Sequence, residues 1–105
     1  MERVAADIEL LTTSDQWVIT DWQFAAALAN RDTPPGLVDT SFTRVHSGNL
    51  TSRELIQTAS DPRVHAIVFA ADHLTAAPVA SFRPWVTKHF ALVHTYVTGI
   101  ELWAR

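Results

Sequence analysis

Apolar positions in the first twelve residues recur at helical intervals. Val4, Ile8 and Leu11 fall at i, i+4 and i+7, with Ala5 and Leu10 beside the same stripe, and predict a short amphipathic helix over 2–12. Thr12-Thr13-Ser14-Asp15 is loop chemistry, and the β-branched and aromatic run Trp17-Val18-Ile19-Thr20 predicts a strand. Thr20 and Gln23 have the spacing of a capping box, in which the Thr20 hydroxyl accepts from the Gln23 amide while the Gln23 side chain reaches back. A helix is therefore expected from Asp21 to about Asn30. Pro34-Pro35-Gly36 cannot continue it, because successive prolines remove two donors and fix φ. Leu37-Val38-Asp39 then predicts a second short strand, ending in a polar turn at Thr40-Ser41.

The second half repeats this grammar. Thr51 and Glu54 form another capping-box pair and open a helix whose buried side is Leu55, Ile56 and Ala59, stopped by Asp61-Pro62. Val64 to Phe69 is almost continuously apolar, the pattern of a strand covered on both faces, as in a parallel sheet. Residues 72–80 read as loop, and Ser81 caps a helix bearing Trp85, Val86 and Phe90, with Pro84 tolerated in its first turn. Ala91 to Tyr96 and Ile100 to Trp103 are two strands whose short link across Thr98-Gly99 permits only an antiparallel hairpin. The order α-β-α-β-α-β-α-β-β predicts an α/β fold, a small Rossmann-like or flavodoxin-like three-layer sandwich. Its sheet should be mostly parallel, with an antiparallel C-terminal hairpin whose last strand is the edge.

Composition narrows the function. With 105 residues, 48% apolar and 18% charged, residues 1–105 make a single domain, and residues 1–13 are the helix that would link it to any membrane part. The absence of cysteine removes disulfide, thiolate and Cys-ligated zinc chemistry. The longest apolar runs, Phe24 to Ala29 and Ala66 to Ala71, fall far short of the ~20 residues that cross a bilayer. Eight basic against eleven acidic residues, without runs, leave no footprint for nucleic acid. The only glycines, Gly36, Gly48 and Gly99, form neither a dinucleotide fingerprint nor a phosphate loop, so no cofactor is expected. His46, His65, His73, His89 and His94 include no i, i+4 pair, and no metal is expected.

Ligands in open α/β sheets sit beyond the carboxyl ends of the parallel strands. That rule gathers Thr20 and Asp21, then Asp39, Thr40 and Ser41, then Asp72 and His73. With Trp22 as the exposed tryptophan and Arg44 as a nearby cation, the candidate binding residues are Asp21, Trp22, Asp39, Ser41, Arg44, Asp72 and His73. Carboxylates with a histidine can bind a hard cation or do acid and base work. The same residues also have an architectural reading: Asp21 suits a first helical turn, and Asp39 and Asp72 suit turns. On that reading Arg31 or Arg44 pairs with Asp39 or Asp21, and the surface is shallow.

Three segments carry a family resemblance: Val18-Ile19-Thr20-Asp21-Trp22-Gln23, then Arg31 to Ser41 with Pro34-Pro35-Gly36-Leu37-Val38-Asp39, then Arg44 to Thr51 with Ser47-Gly48-Asn49-Leu50-Thr51. Asp61-Pro62-Arg63-Val64, Phe82-Arg83-Pro84-Trp85-Val86 and Glu101-Leu102-Trp103 extend it. From about Ile8 onward the chain resembles the soluble C-terminal region of bacterial membrane glycosyltransferases, especially actinobacterial ones. These form the dolichyl-phosphate-mannose-protein mannosyltransferase-like and aminoarabinose-transferase-like group. The resemblance implies a non-catalytic accessory domain on the extracytoplasmic face of the membrane. It would be joined in cis to a membrane-embedded enzyme using a polyprenyl-phosphate sugar, and would recognise an acceptor, a partner or a lipid-linked sugar. The family's catalytic acid lies in the membrane part, so the resemblance assigns no catalytic residue here. The alternative is a stand-alone domain that binds a small molecule or cation, or acts as an enzyme, through Asp21, Asp39, Asp72 and His73.

Overall fold

A computed structural model describes residues 2–37 and 40–105. Helix α1 (Glu2–Leu11) buries Val4, Ala5 and Ile8 of the stripe its spacing predicts, whereas Leu10 and Leu11, expected on the same stripe, are exposed in its last turn. Strand β1 (Trp17–Thr20) follows, then α2 (Gln23–Leu28), α3 (Phe42–His46) and α4 (Ser52–Ala59). Strand β2 (Val64–Phe69), helix α5 (Phe82–His89) and strands β3 (Ala91–Thr95) and β4 (Glu101–Ala104) complete the chain. Pro35–Leu37 and Ala77–Val79 are single 3₁₀ turns.

The fold is mixed α/β, built on a four-stranded sheet of order β1-β2-β4-β3. Only β1 and β2 are parallel, while β4 is antiparallel to both β2 and β3. The expected mostly parallel sheet is therefore not formed. One reason lies in the segment read as a second strand, where Leu37 closes a 3₁₀ turn instead of opening a strand. The other two residues of that expected strand, Val38 and Asp39, lie outside the described residues. The flank of β1 is met instead by an isolated parallel bridge between Trp17 and Asp32, with Val18 N–H donating to the Asp32 carbonyl at 3.0 Å. The hairpin forms as expected, but β4 sits inside the sheet and β3 is the edge. Burial explains the choice, since Leu102 and Trp103 are buried whereas β3 is exposed along most of its length.

Alternating residues feed two apolar clusters. Val18, Ala66, Val68 and Leu102 pack with Val4, Ala5 and Ile8 of α1 and Ala25 of α2. Ile19, Ile67, Phe69 and Trp103 pack with Val45, Leu55, Phe82 and Val86 from α3, α4 and α5. Helices thus cover both faces, which is why β2 is apolar at nearly every position. The ends of the chain are fastened to this frame. The Tyr96 hydroxyl donates to Asp7 Oδ2 at 2.6 Å, and burial, with that carboxylate, pushes the phenol well above its ordinary pKa. At the other end Arg105 donates to the carbonyls of Ala59 and Val64 and lies over the Phe90 ring.

The caps differ from their sequence readings in an instructive way. Thr51 Oγ1 accepts from Glu54 N–H at 3.2 Å, as the capping box requires. At α2 the box does not close: Thr20 Oγ1 accepts from Trp22 N–H at 3.0 Å, and the Gln23 side chain donates to the Thr20 carbonyl. The helix accordingly starts at Gln23 rather than Asp21. Thr51→Ala should destabilise the domain by about 1 kcal/mol in equilibrium denaturation. A change at exposed Asn49 should leave the curve in place.

Candidate functional site

Because β1 and β2 are parallel neighbours, their carboxyl ends, Thr20 and Phe69, open on the same end of the sheet. Asp21 stands there, only 6% exposed. Its Oδ1 accepts from the N–H groups of Ala70 at 2.7 Å and Ala71 at 3.0 Å, and its Oδ2 from Leu74 N–H at 3.3 Å. The loop leaving β2 is folded around this carboxylate, which satisfies backbone donors that would otherwise be stranded at a buried strand end. Asp72 lies inside the loop with φ +64°, a left-handed conformation that aspartate tolerates better than most residues. It is exposed, and among the described residues no hydrogen bond reaches its carboxylate. His73 is half-buried, and its Nδ1 is buried without a hydrogen-bond partner.

Beside this loop is a polar cleft of about 250 Å³, lined by Asp72, Thr75, Arg83, Thr98 and Glu101 over Phe69. Arg83, in the first turn of α5, makes a bidentate pair with Glu101 at the start of β4. Its Nε donates to Oε1 at 3.0 Å and its Nη2 to Oε2 at 2.8 Å. Trp103 Nε1 adds a third donor at 3.2 Å. The Arg83 hydrogen bonds, against a desolvation that opposes them, hold the Glu101 carboxyl below its ordinary range, and Trp103 reinforces the effect. The pair neutralises itself, so Asp72 leaves the cleft with one formal negative charge. Arg83 Nη1 keeps its two donors unengaged by protein among the described residues.

The other sequence-predicted residues go elsewhere. Trp22 is exposed beside Phe24, with ring centroids 6.1 Å apart. Ser41 caps α3, its Oγ accepting from Arg44 N–H at 3.3 Å, and the Arg44 guanidinium donates to the Gly36 carbonyl. Asp39 lies outside the described residues, so its pairing with Arg31 or Arg44 does too. Arg31 does not pair with Asp21. Its five N–H donors go to the carbonyls of Glu9, Thr12, Ala29 and Asn30 and to the Thr12 hydroxyl.

Of the predicted set, then, Asp72 and His73 share the loop after β2, Asp21 at the end of β1 holds that loop, and only Asp72 lines the cleft. Arg83, Glu101, Thr75 and Thr98 were not anticipated there. The signal for Glu101 was available in the chain: an acid within Ile100-Glu101-Leu102-Trp103 needs a partner if the strand is covered. Among the described residues no cluster of three or more His, Asp or Glu side chains could hold a metal ion. Nor is any described helix long and apolar enough to cross a membrane.

The class these features define is a mixed α/β domain with a small polar cleft beyond its one parallel strand pair. No family model, curated protein or solved structure matches the chain.

Proposed function

We propose that the chain is a recognition domain without a reaction of its own, an accessory to a membrane-embedded glycosyltransferase that draws sugar from a polyprenyl phosphate. The observation that carries the non-catalytic reading is the state of Asp21: three backbone amides occupy its two oxygens, which leaves it poorly placed to move protons or hold a cation. Glu101, tied to Arg83 and Trp103, is withdrawn in the same way. What the cleft still offers, the Asp72 carboxylate, the Arg83 Nη1 donors and two threonine hydroxyls, suits the hydroxyl groups of an acceptor or a lipid-linked sugar. Helices on both faces of the sheet favour a three-layer, Rossmann-like reading of the architecture. The parent enzyme and the extracytoplasmic location rest on the resemblance of the Pro34-Pro35, Asp39-Thr40-Ser41 and Ser47-Gly48 segments.

Immunoblotting of fractionated native cells with an antibody raised against residues 1–105 tests the parentage. The expected result is a membrane-fraction band several times larger than the 11.7 kDa of this chain. A soluble band of 11.7 kDa as the only product overturns the assignment.

A further inference from the structure

Resting on the recognition role proposed above, we infer that the polar cleft beside the β2 loop takes one uncharged sugar ring of the acceptor and turns away the phosphate-bearing sugar of the donor. Size sets the first limit. At about 250 Å³ the cleft is smaller than the ~300–1,000 Å³ pockets that enclose drug-sized ligands, which restricts it to a single ring.

Its hydrogen-bonding character is mixed, with side-chain acceptors prominent. The Asp72 carboxylate can only accept, and the Thr75 hydroxyl, whose proton goes to the Asp72 carbonyl at 3.3 Å, is left with its lone pairs. Arg83 Nη1 supplies donors, and the Thr98 hydroxyl can act either way. Two of the lining amides are unavailable, since Ala70 N–H is spent on Asp21 and Gly99 N–H on the Tyr96 carbonyl. Ser81 and Phe82, at the head of α5, do not line the cleft. A sugar hydroxyl both donates and accepts, so a neighbouring pair can donate to Asp72 and accept from Arg83. A phosphate dianion only accepts, and it would face a carboxylate that only accepts as well.

Charge acts in the same direction. The charged lining residues are Asp72, Arg83 and Glu101, and because the last two neutralise each other one negative charge remains. His73, next to Asp72 in the chain, is half-buried and does not line the cleft. A space of this volume is comparable in width to the ~8 Å over which charges act at physiological ionic strength. A phosphate on the anomeric carbon of a bound ring therefore stays within reach of Asp72, whereas an acceptor ring brings no such charge.

Amide chemical-shift titration of the full chain with methyl glycosides of common hexoses and pentoses, and with the 1-phosphates of the same sugars, tests the discrimination. The expected result is a methyl glycoside that shifts the amides of Asp72, Thr75 and Thr98, and whose 1-phosphate binds about tenfold more weakly at low salt. Added sodium chloride narrows that difference. So does Asp72→Asn, which removes the charge at an exposed site and offers the phosphate an amide donor. A 1-phosphate that binds at the cleft as tightly as its glycoside, or a difference that Asp72→Asn leaves intact, overturns the exclusion of the donor while sugar recognition by the cleft stands. If no glycoside of the panel shifts the cleft amides, the sugar reading of the cleft falls, and the choice between the two sugars with it. Shifts at Trp22 and Phe24 in their place assign the sugar to that exposed aromatic pair and overturn both.

Discussion

Asp21→Ala is expected to cost about 4 kcal/mol of folding free energy, a large share of the ~5–15 kcal/mol that holds a domain of this size together. The magnitude follows from three N–H donors losing a charged acceptor at a strand end, where each such bond is worth about 1.5–3 kcal/mol and water can rescue only part of the loss. Asp21→Asn should cost about half as much, because its remaining carbonyl oxygen can still serve Ala70 and Ala71 while the amide nitrogen opposes the Leu74 donor. The contrast is Asp72→Asn, in the same loop. Its carboxylate is unengaged and asparagine accepts φ +64° readily, so stability should move by no more than about 0.5 kcal/mol. Urea denaturation of the three variants decides the matter. A midpoint for Asp21→Ala close to wild type would mean that the loop does not depend on this carboxylate, and would restore Asp21 as a candidate for chemistry.

Arg31 should be the next most sensitive position. Its guanidinium closes the C-terminal ends of two helices at once, since Glu9 and Thr12 belong to the end of α1 and Ala29 and Asn30 to the end of α2. Carbonyl groups there have no partner within the helix, and a cation at that end also meets the favourable pole of the helix dipole. Arg31→Ala is expected to cost about 3 kcal/mol, and Arg31→Lys about 2 kcal/mol, because an ammonium has three donors on one point rather than a planar fork that spans two helices. The acceptors are uncharged, so the loss should change little with moderate salt. Thermal unfolding in low and raised sodium chloride checks both statements, and full recovery in Arg31→Lys would show that charge rather than the fork matters.

Where the fold could be read from the chain, short-range physics was decisive. The first two turns of the α1 stripe, Val4, Ala5 and Ile8, the Thr51 cap and the continuous apolar run of β2 appear where the spacing places them, while Leu10 and Leu11 do not join the buried stripe. Helix α3 gave no such signal: at five residues it is too short for periodicity, and its one mark, Ser41 before Phe42, reads equally as a turn. The order of the sheet was not legible either. A hairpin signal states that β3 and β4 pair, but which of them also pairs with β2 depends on burial across the whole molecule. The site shows the same division. The rule for strand ends found Asp21 and Asp72, but whether a carboxylate is engaged by amides 49 residues away cannot be read from local sequence. Arg83 and Glu101, 18 residues apart, likewise meet only because α5 and β4 fold together.

The position of β4 bears on how the protein comes into being. The last of the four strands in chain order lies between β2 and β3, which otherwise have no contact through the sheet. A ribosome releasing this chain from its N terminus therefore exposes β1 and β2 as a parallel pair with an open, apolar flank, and that flank is covered only once Glu101 to Ala104 have emerged. Closure of the sheet is consequently tied to the emergence of β4 rather than to the order in which the strands are made. A nascent chain halted before Glu101 would display the Val68 and Phe69 edge to chaperones or to its neighbours.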